Sequence, residues 1–152
     1  MKTNSKAKPV RLFNKRAKFN YELGKKYEAG IVLSGGEAKS VRTGHCDLSR
    51  SYVKIMNNEA YLINANIPVA GALNYDSTRT RKLLLHRSEI SDIETNLKQK
   101  KLTIVPISVY TKGRLIKAEI ALGKPKKTFE KKASIKQKDI KRDIEREARV
   151  KE

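Results

Sequence analysis

The chain has 152 residues, of which 38% are hydrophobic and 34% charged, and its formal net charge at pH 7 is +19. A chain of this length can bury one core and carry extensions, and so large a positive charge indicates a polyphosphate backbone or an anionic membrane surface as partner. No apolar run approaches the roughly 18 residues of a membrane span, and no apolar segment follows the basic N-terminus as in a secretory signal. Cys46 is the single cysteine, which excludes an internal disulfide and favours a reducing compartment. The sequence therefore predicts a cytoplasmic protein without a membrane partner.

Positive charge is denser at the two ends of the chain than in its middle. Residues 1–18 contain seven Lys or Arg and no acidic residue, and residues 124–152 contain twelve basic and six acidic residues. Residues 1–17, which have only scattered apolar groups, are predicted to form a flexible basic arm. Residues 18–123 are predicted to form the folded domain, and residues 124–152 a basic tail.

The first predicted strand runs from Phe19 to Leu33 and ends in a short apolar run. Ser34-x-x-Glu37 then has the spacing of a capping box, which begins a short helix that Gly44 stops. A hairpin follows, in which Asn57-Asn58 supplies a two-residue turn, because Asn tolerates the positive φ that such turns need. The register of this hairpin pairs Val53 with Leu62 and Ile55 with Ala60.

A second hairpin is predicted with Lys112-Gly113 at its turn. The predicted register pairs Val109 with Ile116, Ile107 with Ala118 and Val105 with Ile120 on an apolar face, and Ser108 with Lys117 and Pro106 with Glu119 on the other. Alternation of this kind indicates a half-buried antiparallel sheet.

An amphipathic helix is predicted between the two hairpins. Ile90, Ile93 and Leu97 recur at helical intervals, and Ser91-x-x-Glu94 has capping spacing, so the helix is placed at about residues 88–100. The predicted fold is therefore mainly β with added helices (α+β), and an antiparallel barrel of the oligonucleotide-binding type fits this order of elements.

The tail has its own pattern. After Gly123, five lysines fall in the nine residues 124–132, with Phe129 among them. Ser134-x-x-Gln137 has capping spacing, and Ile140, Ile144 and Ala148 share one narrow helical stripe. Because an isolated helix this short is marginal in water, the tail is predicted to be capable of forming a helix but mostly unfolded when nothing is bound.

Motifs for catalysis, metals or nucleotides are not complete in this sequence. No residues with ligand spacing follow His45-Cys46-Asp47, and His86 stands alone. Gly36-Glu37-Ala38-Lys39-Ser40 lacks the glycines that a phosphate-binding loop requires. The sequence therefore predicts a protein that is not an enzyme and that has no metal and no cofactor.

Several residues suit contact with RNA. Arg79, Arg81 and Lys82 are three cations beside an apolar run, and they suit backbone phosphates, although a solvated loop would look the same. Glu28 opens an apolar strand segment and could accept hydrogen bonds from base or ribose donors or simply end a strand. Tyr21 and Tyr27 could stack on bases or pack in the core. The lysines of residues 124–132 favour an electrostatic contact with RNA over a solvated charge run.

Six segments in order resemble the SmpB family, the SsrA-binding proteins of bacterial trans-translation. They are Asn14-Lys15-Arg16-Ala17, Tyr27-Glu28-Ala29-Gly30-Ile31-Val32-Leu33, Gly36-Glu37-Ala38-Lys39-Ser40-Val41-Arg42-Thr43-Gly44, Ser51-Tyr52-Val53, Arg79-Thr80-Arg81-Lys82-Leu83-Leu84-Leu85 and the Lys-rich tail from Lys124. The resemblance covers roughly residues 13–150.

The resemblance implies an oligonucleotide-binding-type barrel that grips the tRNA-like domain of transfer-messenger RNA, and we expect the protein to be a monomer. It also implies a tail that enters the empty mRNA channel of a stalled 70S ribosome, near the rRNA of the decoding centre. Transferred residue by residue, the RNA-contacting group is Tyr21, Glu28, Lys39, Arg42, Leu84, His86 and Lys117. The ribosome-contacting group comprises Lys124, Lys126, Lys127, Phe129, Lys131 and Lys132, with Lys138 and Arg142 in the helix beyond.

Two other classes of protein share some of these features. A structural ribosomal protein of barrel type would have the same charge and fold, but it should purify with ribosomes that translate normally. An RNA-modifying enzyme is less compatible, because no set of residues for pocket chemistry is present. The RNA that purifies with the protein from cells would separate these classes.

Overall fold

A computed structural model describes residues 9–71 and 74–127. The first half of the described chain contains β1 (Arg11–Phe13), α1 (Lys15–Asn20), β2 (Tyr21–Ile31), α2 (Gly35–Arg42), β3 (Tyr52–Met56) and β4 (Glu59–Ile63). The second half contains β5 (Arg81–Leu84), α3 (Arg87–Lys100), β6 (Thr103–Lys112) and β7 (Leu115–Pro125). None of the helices in these ranges is long and apolar enough to cross a membrane.

The strands form a closed antiparallel barrel. Six strands follow one another around the ring in the order β6-β3-β4-β5-β2-β7, and the pairing of β7 with β6 closes it. β1 lies outside the ring and pairs with β6 at residues 108–110, on the edge of β6 that β3 meets at Ile104. The predicted class, mainly β with added helices in an antiparallel barrel, is confirmed.

Apolar side chains that point inward fill the barrel. The fully buried ones include Leu62, Ile67, Leu83, Ile93, Val109 and Ile120. Helix α3 contributes Ile93 to this core, and its Asp92 accepts hydrogen bonds from Lys25 Nζ (2.7 Å) and the Tyr27 hydroxyl of β2. Burial of apolar surface is thus the main force that holds helix and barrel together.

Local signals in the sequence located two elements correctly. The capping box is present at the start of α2, where Ser34 N donates to Glu37 Oε1 (2.9 Å) and Glu37 N to Ser34 Oγ (3.3 Å). In the first hairpin, Asn57 and Asn58 have φ of 51° and 59°, and the predicted pairs Val53–Leu62 and Ile55–Ala60 are confirmed.

The predicted register of the second hairpin is wrong. The turn is Gly113-Arg114, with φ +61° at Gly113, so Val109 pairs with Ala118 instead of Ile116. A bulge between Pro106 and Ser108 then changes the offset by one residue, and Pro106 pairs with Ile120. Proline cannot donate to a β ladder, so it is found at such irregular positions. Residues 104–110 are all buried, so β6 is not half-buried either.

The start of the folded domain also differs from the prediction. Residues 11–13 and 15–17, expected in a flexible arm, form β1 and the first half of α1, while Phe19 and Asn20 end that helix. Asn14 anchors this segment, because its Nδ2 donates to Pro106 O (2.9 Å) and its Oδ1 accepts from Arg16 N (3.2 Å). Residues 1–8 lie outside the described part of the chain.

The ends of two further elements were misplaced. Helix α3 begins at Arg87, where His86 N donates to Glu89 Oε1 (3.1 Å), so Ser91 and Glu94 lie inside the helix and do not cap it. Strand β7 continues to Pro125, and Lys124, assigned to the tail, pairs with Glu22 of β2. The folded part of the chain therefore extends beyond Gly123.

A candidate RNA-binding surface

Gly30 lies in an outward-facing patch that spans four strands. In the β ladder, Gly30 of β2 pairs with Leu84 of β5 on one side and with Lys117 of β7 on the other. Glu28 lies two residues earlier on the same face of β2, since side chains alternate along a strand. Glu28, Leu84 and Lys117, predicted from distant parts of the sequence, are thus neighbours. We call the outward side chains of these residues, with Tyr110 and Lys112 of β6, the Gly30 patch.

The lack of a side chain at Gly30 lets its neighbour close over the strand. A Cβ at this position would lie 3.2 Å from Leu84 Cβ, so any larger residue would displace the leucine. Leu84 is itself 54% exposed. An exposed leucine among charged side chains leaves apolar surface that a base or ribose face could cover.

The carboxylate of Glu28 is held by its neighbours and remains accessible. Its Oε2 accepts a hydrogen bond from the Tyr110 hydroxyl, and its Oε1 lies 3.3 Å from Lys112 Nζ. The Glu28 side chain is 42% exposed. The Tyr110 hydrogen bond, followed by Lys112 and the charge of Lys117, lowers the pKa of Glu28, so this carboxylate is ionised at neutral pH.

Basic side chains surround the patch. Arg11 Nη1 lies 3.2 Å and Lys26 Nζ 3.7 Å from Glu119, which pairs with Glu28 in the ladder. On α2, the Arg42 guanidinium donates to Arg114 O (2.8 Å) in the turn between β6 and β7. This contact brings α2, which also carries the exposed Lys39, next to the tip of the hairpin. The cations exceed the two carboxylates, so the surface as a whole attracts phosphate.

Not all predicted contact residues lie at this patch. His86 follows Leu84 by two residues and is exposed at the start of α3. Tyr21 lies seven positions from Glu28 along β2, roughly 20 Å at about 3.3 Å per residue. It lines a different groove of about 430 Å³, together with Arg16, Arg50 and Tyr52. Tyr27, for which stacking on bases was one option, is 7% exposed and belongs to the core.

The expectation that Arg81 contacts phosphate is wrong, because its side chain is fully buried. The Arg81 guanidinium lies 2.5 Å from Glu37 Oε2 and donates to Ala65 O (2.6 Å) and Ser77 O (2.9 Å). It therefore ties α2 to the loop between β4 and β5. Arg79 also bonds to Glu37, while Lys82 Nζ lies 2.9 Å from Glu59 on the outer face. Of the three cations, Lys82 is the one that lies on the outer face of a strand, and it is partly exposed.

Glu37 is the acidic partner of this buried cluster. Burial by itself would raise the pKa of Glu37, but hydrogen bonds from Arg79, the Ser34 amide, Tyr75 and Arg81 hold the pKa at about 2. Glu37 is 0% exposed. The charge pair is structural, because no solvent reaches either Glu37 or Arg81.

Residues of the predicted tail are only partly described. Lys126 N donates to Asn20 O (2.9 Å) and its Nζ to Lys18 O (2.8 Å), which fastens the end of β7 to the end of α1. Lys127 is exposed. Phe129, Lys131, Lys132, Lys138, Arg142 and the predicted helix stripe lie outside the described residues.

Cys46, the one cysteine of the sequence, is partly buried and forms no disulfide. Burial raises the pKa of the Cys46 thiol to about 11, so it is protonated at neutral pH. Within residues 9–71 and 74–127, no group of three or more His, Cys, Asp or Glu side chains could hold a metal ion.

Sequence reasoning missed several residues of the two surfaces. Arg11 lies beside the Gly30 patch only because β1 pairs with β6, which no local pattern indicates. Tyr110 and Lys112 reach Glu28 from β6 across β7. Arg16, Arg50 and Tyr52 line the groove at Tyr21. The fold and these surfaces together define a class of protein, a small basic antiparallel barrel with a surface of the nucleic-acid-binding type.

Comparisons with known proteins all indicate the same family. The model of the family described as SmpB protein matches residues 12–150. An SsrA-binding protein of Sulfurihydrogenibium sp. (strain YO3AOP1) is 48% identical over 136 residues, which cover 88% of this chain and 90% of the relative. The SsrA-binding protein of Mycoplasmoides gallisepticum is 49% identical over 136 residues, 86% of this chain and 94% of that one. The chain belongs to the SmpB family.

A solved structure supports the same assignment. One chain of the structure described as "tmRNA-SmpB: a journey to the center of the bacterial ribosome" is similar to this chain with a TM-score of 0.66 and 38% sequence identity. The match covers 78% of this chain and 85% of that chain. The predicted resemblance is thereby confirmed for both sequence and fold.

Proposed function

We propose that this chain binds the tRNA-like domain of transfer-messenger RNA and delivers this RNA to stalled 70S ribosomes for trans-translation. Relatives described as SsrA-binding proteins match it over most of their length. The observation that carries the proposal is the Gly30 patch, in which β2, β5 and β7 bring Glu28, Leu84 and Lys117 together. The resemblance to the SmpB family assigns the same three residues, from distant parts of the sequence, to RNA binding.

The Gly30 patch and the adjacent helix α2 offer three kinds of contact to RNA. Lys117, Lys39 and Arg42 attract backbone phosphates, and this attraction provides affinity without regard to sequence. Leu84 offers apolar surface to a base or ribose face. Glu28 repels phosphate, so its contribution is to accept hydrogen bonds from ribose hydroxyls or base amino groups in one orientation of the RNA. The cations therefore supply affinity, and Glu28 supplies selectivity.

The proposed division of labour follows the chain. The barrel, with Tyr21 and His86 at its margins, binds the RNA. The tail, with Lys127, Phe129, Lys131, Lys132, Lys138 and Arg142, enters the empty mRNA channel and contacts rRNA near the decoding centre. The protein acts as a cytoplasmic monomer without cofactor and performs no catalysis of its own. Contacts with the channel walls would offset the conformational entropy that the tail loses when it folds there.

Binding at different salt concentrations tests the roles of the patch residues. Lys117→Ala should weaken binding to a transcript of the tRNA-like domain and reduce the log–log salt slope by about 0.7 to 0.9, because one phosphate contact is lost. Glu28→Ala should weaken binding with the slope unchanged. Lys98→Ala, an exposed cation of α3 outside the patch, is the matched control. Tighter binding by Glu28→Ala would show that this carboxylate only repels RNA.

Two further measurements test the biological role. The RNA that purifies with the tagged full chain from cells should be one abundant species with a tRNA-like end and a short reading frame. The full chain should also support tagging of stalled peptides in a reconstituted translation assay. Recovery of normally translating ribosomes without that RNA would instead identify a structural ribosomal protein.

A further inference from the structure

Tyr110 belongs to the Gly30 patch but lies on β6, a strand whose residues 104–110 are all buried. Its hydroxyl donates to Glu28 Oε2 from β6, and β7 lies between that strand and β2. Two strand spacings separate β6 from β2, roughly 10 Å, and the two long side chains together span this distance. Tyr110 is 8% exposed, so it has little surface with which to contact RNA directly.

The ring of Tyr110 is itself held in place. Arg11, which pairs with Tyr110 in the ladder, places its guanidinium carbon 4.2 Å from the ring centroid. The same guanidinium lies 3.2 Å from Glu119 Oε2. A ring covered by a cation and packed between strands cannot turn its hydroxyl away from Glu28 without breaking several contacts.

The geometry points to an indirect role: we propose that Tyr110 is a positioning residue that holds the Glu28 carboxylate in the orientation that receives RNA. Each carboxylate oxygen can accept two hydrogen bonds, so both oxygens of Glu28 keep capacity after the contacts from Tyr110 and Lys112. A free surface glutamate would lose rotamer freedom on binding, whereas this one is already fixed. The inference rests on the proposed function and adds one residue to it.

The fold contains a matched control for this arrangement. Tyr27, 7% exposed, donates its hydroxyl to Asp92, and Lys25 Nζ lies 2.7 Å from the same carboxylate. Tyrosine, carboxylate and lysine are thus combined as at Glu28, but outside the Gly30 patch. Tyr27→Phe and Tyr110→Phe each remove one hydroxyl of the same kind, and only the second should affect RNA binding.

The experiment is a double-mutant cycle in the full chain, with a transcript of the tRNA-like domain as probe. Tyr110→Phe should weaken binding about threefold to tenfold with an unchanged salt slope, because no cation is lost. Tyr27→Phe should not change the affinity. The combined Glu28→Ala and Tyr110→Phe variant should bind no more weakly than Glu28→Ala alone, because the hydroxyl acts only through that carboxylate.

A second measurement does not depend on RNA. Titration of the Glu28 side-chain carbon by NMR in the free protein should show a higher pKa in Tyr110→Phe, since the hydrogen bond favours the ionised form. Tyr27→Phe should leave the Glu28 pKa unchanged.

Three results would overturn the inference. The first is that Tyr110→Phe weakens RNA binding equally in the original chain and in the Glu28→Ala variant. The second is that Tyr110→Phe keeps full affinity for RNA although Glu28→Ala binds weakly. The third is that Tyr110→Phe leaves the pKa of Glu28 unchanged. None of these three results contradicts the proposed function, which is tested separately by whether the unsubstituted chain binds the transcript.

Discussion

Glu37 and Arg81 form a buried ion pair that joins helix α2 to the segment before β5. Both side chains are fully buried, and Arg79 and Tyr75 add further hydrogen bonds to the carboxylate. Breaking such a pair leaves an uncompensated charge in the interior, whereas an exposed pair contributes little. The stability of the α2 region therefore depends on the ionised state of a single glutamate.

Glu37→Gln should lower the free energy of unfolding at pH 7 by about 3–5 kcal/mol, because Arg81 keeps its charge and loses its partner. The folded-state pKa of about 2 lies below the ordinary value of 4.5, so this stabilisation is complete above pH 4.5 and is lost as pH falls toward 2. Urea unfolding between pH 7 and pH 2 measures both effects. The difference between the two proteins should shrink across that pH range.

Glu59→Gln is the control for this experiment. Glu59 also pairs with a cation, Lys82, but its side chain is 43% exposed, so solvent screens the pair and the loss should be far smaller than in Glu37→Gln. Similar losses in the two variants would mean that the cluster at Glu37 is hydrated.

Ser108 is a second residue whose burial has a measurable consequence. It is 0% exposed, and its Oγ has no hydrogen-bond partner within the described part of the chain. Ser108→Ala removes a hydroxyl that was desolvated without compensation, so it should raise the free energy of unfolding by up to about 1 kcal/mol. Ser51→Ala, whose Oγ donates to Leu48 O at 2.6 Å, should lower it. Loss of stability in Ser108→Ala would reveal a partner for this hydroxyl.

For individual residues, the sequence predicted which of them lie together on the surface better than it predicted which side chains are buried. Glu28, Leu84 and Lys117 were recognised through the family resemblance, and they lie together at Gly30. The predicted exposure of Arg81 is wrong. A run of cations in a sequence indicates an exposed surface even when one of them points inward and pairs with a buried carboxylate, as Arg81 does with Glu37. No local pattern in the sequence indicates a role for Tyr110, because that role depends on Glu28, which lies more than eighty residues earlier in the chain.

Among the elements, the two hairpins show what turn chemistry can and cannot specify. Asn57-Asn58 occupies a turn with two positive φ values, a geometry that few residue pairs tolerate, and the register was predicted correctly. At Lys112-Gly113-Arg114, glycine could stand at either central position of the turn. The bulge at Pro106 then shifted the remaining pairs, and a bulge depends on packing at both faces of a strand.

The turn at Asn57-Asn58 should respond to substitution according to backbone conformation. Asn58 has φ of 59°, which costs glycine little and alanine more, so Asn58→Gly should equal or exceed the original stability. Asn58→Ala should lower the free energy of unfolding by about 1 kcal/mol. Asn66→Ala, at an exposed position without positive φ, serves as the control, and thermal unfolding compares the three. Equal stability of Asn58→Ala and Asn58→Gly would exclude a conformational cause.

For the whole molecule, the boundary between barrel and tail decides which truncation separates the two proposed activities. Strand β7 pairs with β2 as far as Pro125, and Lys126 N bonds to Asn20 O. The cut expected from sequence, after Gly123, would remove two paired residues of β7.

The overall class and the order of the elements were predictable from the sequence because capping, turn and periodicity signals agreed. The ends of the strands were not, because they depend on distant partner strands that no local pattern contains.

A chain that ends at Lys127 should fold and bind the tRNA-like domain with nearly the affinity of the full chain, since the Gly30 patch is complete. It should fail to support peptide tagging on stalled ribosomes, because the proposed channel-entering segment is missing. Gel shift and a reconstituted tagging assay measure the two activities on the same preparation. A chain that ends at Gly123 is the control and should be less stable. Tagging by the chain that ends at Lys127 would assign the ribosomal contact to the barrel.

The pairing of β1 with β6 also governs the order in which the chain can fold. Val10 N donates to Thr111 Oγ1 across 101 positions, and the barrel closes only when β6 and β7 are present. Contacts so distant in sequence make folding slow, on the order of milliseconds to seconds, and leave the earlier strands exposed during synthesis. A message broken before the codons for β6 would therefore yield an open sheet with unpaired edges. A protein proposed to act on ribosomes with broken messages thus has a fold that such a break would leave incomplete.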